Sequence, residues 1–263
     1  MKEEEVIALS NLCNFKADNV SPLKQEASGR KYWRVSNTSD SFVLCYLDPS
    51  IGNHLDFIQI TNSLQNNNIN SVNVIYHNDE HGLTLQEDLG DKDLLSILNT
   101  KNKTELIEKS LDLLIQIQNA DIKNIDRFTD NELTDQMYLF KNIFLKNFLN
   151  IEMNSSIDDL ISITMSNLKK HPWLNCHFDY ERRNLILNEH QSITAIDYQD
   201  MKKGPIGIDM AGILIDHYYQ CDDDSIRNSL KYFSNKINHK YSGEELHEFL
   251  TYGCLQRNMR ILG

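Results

Sequence analysis

The chain reads as an α+β protein in two parts. A small antiparallel sheet with a helix laid on it occupies residues 1–90, and a larger, mainly helical part follows over residues 91–263. Three observations predict this. Short apolar segments, "KYWRVSN", "FVLCYL", "VNVIY" and "LTLQE", crowd the first 90 residues. After Asp91 the apolar period lengthens to that of helices. The change falls near Gly90-Asp91, with no Pro- or Gly-rich linker and no internal repeat.

Taken in order, residues 3–14 place Val6, Leu9 and Cys13 at helical spacing. "KYWRVSN" and "FVLCYL" are two strands separated by the turn-forming Asn37-Thr38-Ser39-Asp40. A helix is predicted over 53–65 with Leu55, Ile58 and Leu64 on one face, ended by the polar Gln65-Asn66-Asn67-Asn68. "VNVIY" and "LTLQE" complete the sheet. Beyond residue 91, Ile107, Leu111, Leu114 and Ile115 form one core stripe; Leu133, Met137, Phe140, Phe144 and Phe148 form another. Only residues 184–197 are expected to interrupt the helices with strands.

A net charge of −12 and a pI near 5.2 argue against nucleic acid as a partner, because a basic face is needed to displace counterions from phosphates. Five scattered cysteines without a C-x-x-C pair suggest neither a disulfide framework nor a zinc site, and fit a reducing compartment. The N-terminus "MKEEE" has no cationic or apolar leader, and no run is long enough to span a bilayer. The expectation is a cytoplasmic protein, monomeric and free of membrane.

The chemistry concentrates in "CHFDYERRNLILNEHQSITAID", residues 176–197. Asn184–Leu187 and Ile193–Asp197 read as two arms of a hairpin turning at 189/190, which sets residue 184 opposite residue 195. Asn184 and Asp197 then meet at the open end. An amide oxygen and a carboxylate are hard donors of the kind Mg²⁺ takes alongside water and phosphate oxygens. Asp179, in the loop feeding the first arm, reaches the same point and suits a base or a group that orients a nucleophile. Together they suggest the working end of a phosphoryl-transfer site. Each has an ordinary alternative: Asp179 as a turn cap, Asn184 as a partner for loop amides, Asp197 as the start of the turn before Gly204-Pro205.

The run "HFDYERRNLIL…AIDYQDMKKGPIGIDMAGILIDHY" resembles the catalytic segment of the aminoglycoside phosphotransferase family, small-molecule kinases with a two-lobed, protein-kinase-like fold. His177, Asp179 and Asn184 match its H-x-D-x-x-x-x-N pattern, Asp197 its metal-binding aspartate, and Asp209 its helix-opening aspartate, read as an N-cap and loop anchor. "LQEDLGD" (85–91), "EASGRKYWRV" (26–35) and "LQRNMRILG" (255–263) are similar to one branch, kinases of the anomeric hydroxyl of N-acetylmuramate and N-acetylglucosamine.

This resemblance implies ATP and Mg²⁺ as cofactors and a small hydroxylated molecule as partner. It makes Asp179 the base and gives the metal to Asn184 and Asp197. Residues 27–31, with Arg30 and Lys31, become the loop over the nucleotide phosphates. Glu87-Asp88-Leu89 becomes a hinge that meets adenine through backbone groups. Arg183, Gln199 and Asp200 line the acceptor side, and His177 braces the loop. Cys176 and Phe178 are read as packing, Glu181 and Arg182 as surface, and the remaining histidines as surface or packing.

Two departures from the family stand out. "FVLCYL" lacks the lysine that kinases of this fold carry on the third strand. Arg30, Lys31 and Arg34 are the nearby cations, and Gly29 is alone in its loop. Relatives are also expected to continue for some tens of residues past "LQRNMRILG", so that the chain is truncated or shortened. Alternatives in other classes are a kinase for an aminoglycoside or simple alcohol, and a nucleotide-binding pseudokinase.

Overall fold

The computed structural model describes residues 1–23, 29–151, 155–215 and 217–263, and the chain divides into two units, Met1–Asp91 and Lys92–Gly263. In the first, α1 (Glu3–Leu12) opens with three glutamates at the positive end of its dipole. It is followed by β1 (Asn19–Pro22), β2 (Lys31–Ser36), β3 (Ser41–Tyr46), α2 (Leu55–Asn66), β4 (Val74–Asn78) and β5 (Leu83–Glu87). The strands form one sheet in the order β1-β2-β3-β5-β4, every pair antiparallel. The sequence reading missed β1. Its "NVSP" carries a proline, which only an edge strand tolerates, and a four-residue edge strand has too few alternations to register.

One face of this sheet, Trp33, Val35, Leu44, Leu83 and Leu85, buries itself with Val6 and Cys13 of the α1 region and with Phe15. α2 turns a different face inward from the one predicted: Phe57, Ile60, Thr61 and Leu64 are buried, whereas Leu55 is 52% exposed. The i, i+3, i+4, i+7 spacing of Phe57, Ile60, Thr61 and Leu64 is the regular helical stripe, and Leu55 stands at the first turn outside it.

The second unit contains α3 (Leu94–Ile97), α4 (Lys103–Asn119), α5 (Asp130–Leu139), an i→i+5 helix over Phe140–Phe148, and α6 (Ser156–Leu168). Then come β6 (Trp173–Cys176), a 3₁₀ turn at Arg182–Asn184, β7 (Leu185–Leu187), β8 (Ile193–Ala195), β9 (Lys202–Pro205), α7 (Gly207–Leu214), α8 (Asp223–Lys236) and α9 (Gly243–Leu262). β6 pairs antiparallel with β9, a second small sheet that the sequence reading did not anticipate. "WLNC" and "KKGP" are too short for a periodic signal. The phenylalanine stripe is core only at its start. Leu133 and Met137 are fully buried, but Phe148 is 76% exposed. In the wider helix each residue turns through a smaller angle, so a stripe spaced for an α-helix drifts off the core.

The core of this unit joins Leu133 and Met137 of α5, Ile161, Met165 and Leu168 of α6, Ile208 of α7 and Met259 of α9. Every residue of α7 is buried. Its approach to α9 is set by two glycines: a Cβ on Gly253 would lie 2.1 Å from the backbone of Gly207, and one on Gly207 would lie 1.9 Å from the carbonyl oxygen of Phe249. His171, between α6 and β6, is buried with its ring 4.6 Å from that of Phe249. Neither ring nitrogen has a partner among the described residues, and burial pulls its pKa down to about 4. Among the described residues no helix is long and apolar enough to cross a membrane.

Gly253→Ala forces backbone apart at the α7–α9 crossing. The gain in helix propensity offsets part of the overpacking, leaving a net destabilisation of about 2 kcal/mol, measured as a lower urea midpoint. His171 gives a pH signature. The unfolded histidine binds a proton near pH 6.5 and the folded one only near 4. Stability is therefore fully present above 6.5 and falls through that window as pH falls, by about 3 kcal/mol in all. The wild-type urea midpoint should drop more steeply between pH 7 and 4 than that of His171→Leu; parallel curves would contradict this.

Candidate functional site

β6 delivers the chain into a loop, residues 177–181, whose shape is set by one buried carboxylate. Asp209 Oδ2 accepts the His177 N–H at 2.7 Å and Oδ1 accepts the Phe178 N–H at 2.8 Å. Asp209 is the third residue of α7, not the residue before it; Ile206 occupies the cap position. In the first turn its charge faces the helix's positive end. Burial pushes its pKa up, against these N–H donors and the neighbouring His177. Two amides anchored on one side chain hold Phe178 at φ +74°, a left-handed conformation costly for a bulky residue and of the kind that gathers at functional sites. The His177 ring is buried, with Nε2 3.0 Å from the Ile196 carbonyl.

Asp179 follows, its side chain 46% exposed. Arg260 of α9 donates from Nη2 to Asp179 Oδ1 at 2.7 Å and to the Phe178 carbonyl at 3.0 Å, with the guanidinium 4.1 Å from the centre of the Phe178 ring. Burial alone would raise the Asp179 carboxyl; the Arg260 charge outweighs it and holds the pKa below its ordinary value. The loop then closes on itself, because Asn184 Nδ2 donates to the Asp179 carbonyl at 3.0 Å. That bond uses the amide's donor end and leaves Oδ1 as its acceptor.

The hairpin forms with a register one residue from that predicted: Leu185 faces Ala195 and Leu187 faces Ile193. The turn is longer than a midpoint at 189/190 allows. Asn188 Oδ1 accepts from the Ser192 backbone and hydroxyl at 3.0 Å, and Gln191 takes φ +59°. Asn184 is therefore bonded across to Ile196, whose N–H reaches its carbonyl at 2.9 Å, and Asp197 comes one residue later. Asp197 also has a left-handed backbone, φ +62°. Its Oδ1 accepts from Gln199 Nε2 at 2.6 Å; Gln199 is buried and Asp200 exposed.

Glu181 and Arg182 are not surface residues. Arg182 is fully buried, donating to the carbonyls of Tyr219 and Ile213, both at 2.9 Å. Ile213 belongs to the last turn of α7, where a cation complements the dipole. Glu181 Oε2 accepts from the buried Arg257 at 2.6 Å, and Oε1 accepts from Arg183 Nε at 2.8 Å. Arg183, 33% exposed, also lies over the Tyr218 ring at 5.4 Å. The sequence assigned no role to Arg257 or Arg260, although the signal was there: two arginines at i and i+3 in "LQRNMRILG", on one side of a helix.

In the first unit, part of the expected phosphate loop, residues 27 and 28, lies outside the described residues. Gly29 has φ +76°, and Arg30 is half-buried with Nε lacking a partner among the described residues. Lys31 begins β2 opposite Tyr46. Arg34 is committed elsewhere: it donates to both Asp88 oxygens at 2.7 and 3.0 Å and pairs with Asp91 at 2.8 Å, hydrogen bonds that raise its pKa further. Glu87 ends β5 with an exposed side chain and its N–H bonded to the Asn73 carbonyl; Leu89 is half-buried beyond it.

Asn184 and Asp197 supply one amide and one carboxylate oxygen, a hard and sparse donor set. Among the described residues no group of three or more His, Cys, Asp and Glu could hold a metal. So few protein donors would suit a cation that completes its shell with water and phosphate oxygens, as Mg²⁺ does.

Residues 19–232 match the phosphotransferase enzyme family. Two curated relatives are N-acetylmuramate/N-acetylglucosamine kinases. That of Pseudomonas putida is 24% identical over 208 residues, 77% of this chain and 61% of the relative, so the match spans about three fifths of that protein. That of Neisseria meningitidis serogroup B is 22% identical over 259 residues, 90% of this chain and 75% of the relative. Among solved structures, a spectinomycin phosphotransferase in complex with ADP and spectinomycin aligns with a TM-score of 0.74 at 15% identity, covering 99% of this chain and 86% of that one. At that identity the likeness is one of fold, a two-lobed α+β fold of the protein-kinase type.

Glu181→Ala removes the partner of a buried guanidinium. It should cost about 3–5 kcal/mol in urea unfolding, against a much smaller loss for Arg183→Ala at the exposed end of the same carboxylate.

Proposed function

Because this chain belongs to the phosphotransferase enzyme family, we propose that it is an ATP- and Mg²⁺-dependent small-molecule kinase whose acceptor is the anomeric hydroxyl of an N-acetylated amino sugar, N-acetylmuramate or N-acetylglucosamine. The observation that carries the reading is the state of Asp179. A half-exposed carboxylate, oriented by Arg260 at 2.7 Å and presented by a loop that Asp209 and Asn184 fix, is placed to accept the proton of an attacking hydroxyl.

In this reading Asp179 orients the acceptor hydroxyl and takes its proton as the oxygen bonds to the γ-phosphorus and the bond from that phosphorus to the bridging oxygen breaks, releasing ADP. Asn184 and Asp197 would hold a Mg²⁺ ion, whose chemistry would be to neutralise charge on the phosphate oxygens. Gln199 fixes the Asp197 carboxylate through their 2.6 Å hydrogen bond. Arg183, Gln199 and Asp200 are assigned to the acceptor, where a forked guanidinium and paired carboxylate and amide groups suit sugar hydroxyls. His177 and Asp209 support the loop. Arg30 and Lys31 take the phosphates, in place of the third-strand lysine. Glu87 and Leu89 flank the adenine with backbone groups. The amino-sugar assignment rests on the names of the two curated relatives and on the resemblance of residues 26–35, 85–91 and 255–263 to that branch. It carries with it a cytoplasmic, monomeric enzyme of cell-wall sugar recycling.

The test is ATP consumption by the full chain with N-acetylmuramate, N-acetylglucosamine, aminoglycosides and simple amino alcohols, with Asp179→Asn alongside. Asn keeps the shape and loses the base. Turnover should fall by about 10²–10⁴-fold with Mg·ATP affinity nearly unchanged. No turnover by the wild type, or equal turnover by the variant, would sink the mechanism. Phosphorylation of an aminoglycoside alone would reassign the acceptor.

A further inference from the structure

Arg260 is built into the loop more firmly than a surface ion pair requires. One nitrogen bridges the Asp179 carboxylate and the Phe178 carbonyl, at 2.7 and 3.0 Å, while the guanidinium carbon lies 4.1 Å from the centre of the Phe178 ring. The arginine side chain is only 17% exposed. It meets the chain at the residue with φ +74°, whose N–H is tied to Asp209 and whose ring touches that of Phe128 at 4.5 Å. Phe178 is therefore gripped on its N–H, its carbonyl and its ring. Only the Arg260 grip extends to the next side chain, Asp179. Arg257, one helical turn earlier, holds Glu181 in the same loop. α9 thus contacts the loop through two charged side chains, one per acid.

We propose that Arg260 is a positioning residue for Asp179: it selects the rotamer in which the carboxylate meets the acceptor hydroxyl, and it stabilises the left-handed backbone of Phe178 on which that rotamer depends. The inference rests on the reading of Asp179 as the base. A lysine cannot substitute fully. Its ammonium could reach the two oxygens but would not also place a flat, delocalised cation over the Phe178 ring. Misplacing the carboxylate slows the chemical step without loosening the nucleotide, since the hydrogen bonds and ring contact of Arg260 fall on Phe178 and Asp179.

The experiment compares wild type, Arg260→Ala and Arg260→Lys in the full chain, measuring kcat, the KM for ATP and amide hydrogen exchange across residues 177–181. Arg260→Ala should lower kcat about 100-fold with the KM for ATP within about two-fold, and guanidinium at a sub-denaturing concentration should restore about tenfold by filling the vacated space. Arg260→Lys should fall in between. Exchange in the loop should accelerate in Arg260→Ala while the global melting temperature changes little. A kcat for Arg260→Ala within two-fold of wild type overturns the inference, as does a loss of kcat that tracks thermal stability and ignores guanidinium. Should Arg260→Ala fold poorly, Arg260→Lys decides: wild-type kcat overturns the inference, and reduced kcat at unchanged KM supports it. If the wild type turns over none of the acceptors, the kinase reading fails. Hydrogen exchange then decides separately whether Arg260 orders the loop, and wild-type exchange in Arg260→Ala overturns that too.

Discussion

The carboxylate of Asp209, buried in the first turn of α7 and accepting two consecutive backbone N–H groups, is the constraint on which the rest of the second unit's site depends. Removing a charged group from water is costly, and two well-directed donors with a helix N-terminus recover part of that cost. The return is geometric. With His177 and Phe178 fixed, Asp179 has one place to go, and Asn184, five residues on, closes the loop by donating to its carbonyl. The hairpin that follows then returns Asp197 next to the residue bonded across to Asn184.

A second requirement is that α7 and α9 approach closely enough for α9 to reach this loop. The glycines at 207 and 253 permit it, and the approach brings Arg257 and Arg260 onto Glu181 and Asp179. The loop's two acids are thereby each matched to an arginine from the same helix. The adjoining Arg182 looks inward instead, onto the carbonyls of Ile213 and Tyr219. What reads in sequence as a polar run is a buried network, with the exposure of Asp179 as its working exception.

The sheet of the first unit was legible because β2, β3 and β5 are short runs rich in β-branched, aromatic and other apolar residues bounded by polar turns, a local property. The spacing of Asp179, Asn184 and Asp197 was legible for a related reason: loop, strand and hairpin are contiguous. The signal failed where structure depends on distant partners. β6 and β9 are four-residue strands made stable by each other, across more than 25 residues. Glu181 and Arg182 looked like solvent-facing charges, because nothing within ten residues reveals the arginine or the carbonyls that bury them. The hairpin register slipped by one because the Asn188–Ser192 turn is set by a side-chain acceptor rather than by chain symmetry. Asp209 was recognised as an anchor, but its place at the third residue of α7 follows from how the preceding turn enters the helix.

Those distant partners carry a kinetic consequence. Arg257 and Arg260 meet Glu181 and Asp179 across 76 and 81 residues of sequence, and ring closures of that size are entropically expensive until the helices between have packed. The loop that carries the proposed chemistry is therefore among the late-consolidating parts of the second unit. During the interval before α9 docks, its acids stand uncompensated and the Phe178 backbone is free to relax to a commoner conformation. Maturation of the site is in this sense a separate event from collapse of the core, timed by the arrival of one helix face.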